Sequence, residues 1–172
     1  MQINSFKDMY VAKLQELFSV EGQIADALDR MIEVASHSSL KSVLSHHRDK
    51  AQVQRQRLES ILEKHAANPW AHTDQAMQTL VIETAKMLSM LNDSNLRDAG
   101  LIASVQKLEH YEIAAYGTAA ALAGQLDLRD DQRMLHESLE EEKEADALLT
   151  KLAKGEVNRD SVAVAAIHPA SF

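Results

Sequence analysis

"KLEHYEIAAYG", residues 107–117, sets two glutamates three apart in a segment whose apolar spacing is that of a helix interior. Ile102, Val105, Ile113, Tyr116 and Ala120 recur at three- and four-residue intervals. Turning about 100° per residue brings them onto one face. Glu109 falls at the middle of that face and Glu112 nearer its edge. A buried stripe that carries two carboxylates needs something to compensate them, so the remainder of the chain must show what that is.

The same interruption recurs in three other segments. Leu14, Phe18, Ala25, Leu28 and Ile32 form a stripe with Glu21 near its centre. Leu40, Val43, Leu44, Leu58 and Ile61 form another, broken by His47, Lys50, Ala51 and Gln54, with Asp49 on the opposite face. Leu135, Leu139, Leu149 and Ala153 form the last, with Glu142 and Asp146 on it one turn apart and Glu140 and Glu144 pointing elsewhere. Each interruption lies near mid-helix, and in an antiparallel bundle those positions meet at one level.

Turn signals fix the organisation. The spacing predicts helices over about 5–35, with Ser5 as N-cap, from 39 to just before "NPWAHTD", over 95–124 and over 130–154. Asn68-Pro69 stops the second of these, and Gly155 is placed as the stop of the last. A shorter amphipathic helix over 73–91 lies between the second and third long ones. Long, long, short, long, long is the pattern of two antiparallel hairpins joined by a crossover, so the expected fold is all-α, a ferritin-like four-helix bundle with a short extra helix in the crossover. Residues 1–155 are read as the bundle and 156–172 as a C-terminal tail whose "VAVAAI" run packs on the bundle or on a second chain.

Composition narrows the function. At 172 residues the chain suits one domain with a sizeable core. A formal charge of -8 without a basic cluster argues against nucleic acid or an acidic membrane as partner. Zero cysteines exclude a disulfide framework, a zinc ribbon and a thiol nucleophile. No window holds about 18 unbroken apolar residues, and "MQINSFKDMY" lacks the pattern of a signal peptide, so a cytoplasmic protein is expected. No phosphate loop or nucleophile elbow is present.

Gathering these carboxylates in a core requires positive charge. Divalent iron or manganese, held by hard oxygen ligands with one or two imidazoles, supplies it, as do protonation or a cation such as Lys50. His46, His65 and His110 fall off the stripes and are read as surface or capping residues, Tyr116 as a packed aromatic whose hydroxyl bonds near the site, and Met77, Met87 and Met90 as core filler.

"FSVEGQIADAL", "HHRDKAQVQRQRLE", "RDAGLIASVQKLEHYEIAAYGTAAALA" and "LEEEKEADALLTKLA" together resemble the YciF/YciE-like branch of the ferritin-like superfamily over about residues 5–155. "EHYEIAAYG", preceded on its helix by "RDAGLI", is the most specific piece. The resemblance implies a dimeric bacterial stress-response bundle with a dinuclear carboxylate metal site. By motif, Glu21, Glu109, Glu112 and Glu142 match the family's carboxylates, with Asp146 following, and His47 and Gln54 match its second-helix pattern. The chain departs from that pattern where Lys50 and Ala51 replace a Glu and a Thr.

The leading expectation is therefore an iron- or manganese-binding stress protein with possible chemistry on oxygen or peroxide, its candidate ligand set being Glu21, His47, Gln54, Glu109, Glu112, Glu142 and Asp146. The rival is a metal-free structural or interaction protein in which Lys50 neutralises the buried carboxylates, unless Lys50 snorkels outward. Iron storage in a large shell ranks below both, since the resemblance points to homodimers.

Overall fold

The computed structural model describes residues 2–167, with side chains through 163. Helix α1 (Phe6–Val34) begins where the Ser5 hydroxyl accepts from the Asp8 N–H at 3.1 Å, satisfying a backbone donor that the first turn leaves free. Helix α2 (Ser38–Lys64) returns antiparallel to it. The tight link between them is tied to the other half of the molecule. Ser36 and His37 donate their backbone N–H groups, each at 2.8 Å, to the two oxygens of buried Asp98.

Asn68-Pro69 ends the second-helix region as expected, and Asn68 caps a 3-10 turn over Pro69–Ala71. The crossover then forms α3 (Gln75–Ser89), whose N-cap Asp74 accepts from the Met77 N–H at 2.7 Å and from the Tyr111 hydroxyl at 2.6 Å. Asp93 caps α4 (Ser94–Gln125), the helix that carries the opening motif, and Asp127 turns the chain at φ 55° into α5 (Arg129–Leu152). The pairs α1/α2 and α4/α5 are the two hairpins, and they face each other through α1 on α4 and α2 on α5. The all-α, ferritin-like bundle with a crossover helix is thus the observed fold.

Two expectations are corrected. Gly155 does not stop the last helix: α5 passes through a π turn over Ala153–Val157, where Ala153 and Val157 stay buried, into α6 (Asn158–Ile167). Helix α6 packs on α4, and buried Ser161 donates to the Asn95 carbonyl at 2.7 Å, so apolar burial outweighs the weak helix preference of one glycine. The rest of the expected tail, 168–172, lies outside the described residues. Met77 is core filler as expected, whereas Met87 in the last turn of the crossover helix and Met90 at its C-cap are 43% and 66% exposed.

The core is divided. One apolar cluster includes Ile24, Leu28, Leu44, Ala51, Leu108 and Leu149. The other includes Leu14, Phe18, Leu58, Tyr116 and Leu139. Each of the four long bundle helices runs from one cluster into the other, and at the crossing each presents a buried polar side chain: Glu21 from α1, His47 and Gln54 from α2, Glu109 and Glu112 from α4, and Glu142 from α5.

Candidate metal centre

The mid-helix polar positions converge because antiparallel packing of helices of similar length brings their centres to one height. His47 is the hub. Its Nδ1 lies 2.7 Å from Glu109 Oε1, and its Nε2 lies 3.3 Å from Glu142 Oε2 and 3.8 Å from Glu112 Oε2. Candidate donor atoms of His47, Glu109, Glu112 and Glu142 all fall within 4.8 Å of one another. The contacts to His47 are close without being directed: both ring nitrogens, both oxygens of Glu109 and of Glu112, and Glu142 Oε2 make no aligned hydrogen bond.

Around this group stand two supporting contacts. Gln54 donates from Nε2 to Glu142 Oε1, and the same nitrogen lies 3.2 Å from Glu141 Oε2. Tyr116 donates its hydroxyl to Glu21 Oε1, leaving Glu21 Oε2 buried without a partner. Tyr116 therefore has the part expected of it, a packed aromatic with its hydroxyl beside the site. Glu21 borders the four-residue group rather than belonging to it.

Burial dominates the electrostatics. Desolvation, reinforced by the charge of Glu142, pushes Glu21 and Glu112 well above the usual carboxylate range. Glu109 is pushed by desolvation up to about 8 even with His47 beside it. Burial also pushes Glu142 upward, yet its contacts with His47 and Gln54 outweigh that and hold it low. Desolvation opposes charge on His47, but the Glu109 and Glu142 carboxylates win and raise it well above an ordinary imidazole. One imidazolium thus faces several carboxyl groups, and protons must hold what positive charge the side chains do not provide.

Two sequence expectations change. Asp146, one turn beyond Glu142, does not reach the group: it accepts from Gln106 at 2.9 Å and lies 3.5 Å from His110 Nε2 on the rim. Four residues advance a helix by slightly more than one turn, and that offset turns Asp146 toward α4's polar edge. Lys50 is no internal counter-ion. Its ammonium lies 2.7 Å from Glu141 Oε1, and its side chain is 38% exposed. Glu141, absent from the expected set, is the organiser of this edge, since it also accepts from Arg57 and is held below the usual carboxylate range against the upward push of burial. Its signal in sequence was its place in the "EEEKEAD" run opposite the basic residues of α2.

The donor set suits a hard divalent ion: carboxylate oxygens in excess, one imidazole, no sulfur. The orphaned buried oxygens are the strongest sign of fit, because each costs free energy until something positive meets it.

Comparison with known proteins agrees with this architecture. The chain is 34% identical over 160 residues to Protein YciF of Escherichia coli, covering 92% of this chain and 96% of that one. The crystal structure of the E. coli stress protein YciF matches with a TM-score of 0.86, at 34% identity over 91% of this chain and 99% of the other. YcfI of Rhodopseudomonas palustris, described as a candidate structural protein, matches with a TM-score of 0.84 and 34% identity over 87% of this chain and 95% of that one. A Xanthomonas campestris protein shares the fold at 18% identity, with a TM-score of 0.73 over 94% of this chain and 95% of that one. Residues 5–162 match the profile of the family described as a domain of unknown function, DUF892, and the chain belongs to that family.

Proposed function

We propose that this chain is a stress-response protein whose bundle core binds divalent iron or manganese through His47, Glu109, Glu112 and Glu142. The observation that carries the reading is the set of buried carboxylate oxygens that converge on one point beside a single imidazole and accept no aligned hydrogen bond. Glu21, beside this group, is the carboxylate available to a second ion, which is the dinuclear form of the site. Gln54 and Tyr116 fix the orientation of Glu142 and Glu21. When bound, iron or manganese would supply redox chemistry toward oxygen or peroxide. The E. coli relative's description as a stress protein supports the physiological setting.

A metal-free structural role would have to rest on His47 and on protonated carboxyls, because Lys50 is engaged outside the cluster. Homodimer assembly and a cytoplasmic setting complete the reading. The first follows the family resemblance, and the second suits a chain with no cysteines and, among the described residues, no helix long and apolar enough to cross a membrane.

Thermal unfolding with and without added Mn(II) tests the proposal. A ligand that binds only the folded state raises its stability in proportion to the logarithm of concentration over Kd. The reading expects a concentration-dependent rise in Tm that the Glu112→Gln variant lacks; an unchanged wild-type Tm across the titration counts against it.

A further inference from the structure

We infer that a slot between α2 and α5 is the path by which cations reach the core, and that Lys50, fastened to Glu141, restrains passage through it. This rests on the metal-binding reading. The slot has a volume of about 130 Å³ and runs from exposed His46 and Glu144 at its outer end to buried His47 and Glu142 at its inner end, with Ala145 on its wall. The two candidate ligands that line it are thus the ones an ion arriving from solvent meets first.

A space of this size has room for a partly hydrated ion. Along the wall, Lys50 binds Glu141 at 2.7 Å, and Glu141 is further held by Gln54 and Arg57. Lys50 therefore does two things at the mouth. It presents a positive charge to an incoming cation, and it occupies a carboxylate that would otherwise attract one. The same contacts tie the mouth to the centre, since Gln54 Nε2 reaches both Glu141 and Glu142.

The test is the rate of Co(II) uptake, followed by visible absorption in stopped flow, with the full-length wild type and the Lys50→Met and Ala145→Leu variants. Lys50→Met removes the charge while keeping much of the bulk, and Ala145→Leu narrows the slot. Lys50→Met is expected to bind severalfold to about tenfold faster at low salt, with the advantage shrinking as salt screens the barrier. Ala145→Leu is expected to bind more slowly, and all three proteins to reach the same final cobalt content. Full binding at equal rates in all three would overturn the assignment of the path. A wild type that takes up no cobalt would instead overturn the metal-binding reading on which it stands.

Discussion

His47 Nδ1 stands 2.7 Å from Glu109 Oε1 in the middle of the bundle, both side chains withdrawn from solvent. This contact joins the two hairpins, since His47 belongs to α2 and Glu109 to α4. It also supplies the side-chain cation nearest the carboxylates. Replacing His47 by Gln removes that charge from a buried pair, and breaking such pairs costs about 3–5 kcal/mol. Urea unfolding of the metal-free variant is expected to show a loss of that order, and metal affinity should fall as well.

Glu112 should behave oppositely in the metal-free protein. Both its oxygens lack donors, and burial, reinforced by the charges of Glu142, Glu21 and Glu109, opposes its ionisation. Glu112→Gln substitutes a neutral amide that can donate to a neighbouring carboxylate. Stability of the metal-free protein is expected to rise while metal affinity falls at least tenfold, the pattern of a site whose function is maintained at a cost in stability. Parallel melting curves and metal titrations read both.

The pH dependence follows from the raised groups. Glu21, Glu109 and Glu112 titrate higher in the folded chain than their ordinary value of 4.5, Glu109 at about 8. The folded state then binds more protons than the unfolded one above about pH 4.5, so metal-free stability declines as pH rises toward 8. Raised His47 acts in the same direction above its ordinary 6.5. Glu142, held low, contributes stability that is lost only on acidification below its ordinary 4.5. Metal must displace those protons, so its affinity climbs with pH. Melts at several pH values should show the metal-free Tm falling and the metal-dependent increment growing between mildly acidic and mildly alkaline buffer.

Tyr116→Phe removes the donor to Glu21 Oε1 and leaves a buried carboxyl wholly without a directed partner. Leaving such a group unsatisfied costs about 1–3 kcal/mol, which chemical denaturation of the metal-free protein would read.

Asp146→Asn separates the rim from the centre. Asp146 faces Gln106 and His110, so metal affinity should stay within about twofold of wild type, far inside the effect of losing a ligand. Calorimetric titration with Mn(II) measures it directly.

Much of the arrangement was legible in the chain. Apolar spacing defined four long helices and the crossover, and mid-helix polar interruptions singled out Glu21, His47, Gln54, Glu109, Glu112 and Glu142, all of which the structure places in the layer between the two apolar clusters. Helical phase alone could not resolve Asp146, because its rotation past Glu142 is small and the neighbouring helix decides which side it faces. The direction of Lys50 was equally undetermined, since a long flexible stem lets the ammonium reach inward or outward, and Glu141 on neighbouring α5 fixes the choice. Gly155 misled because its stop signal is local, whereas the burial of Ala153 and Val157 that carries the helix onward is tertiary.

Metal content per chain, measured by elemental analysis after anaerobic Fe(II) or Mn(II) loading and removal of unbound ion, decides whether the polar layer holds a metal. A full equivalent or more is expected in the wild type and a marked loss in Glu112→Gln. A wild type that retains only traces after loading would contradict it, leaving His47 and protonated carboxyls as the sole compensation for the polar layer.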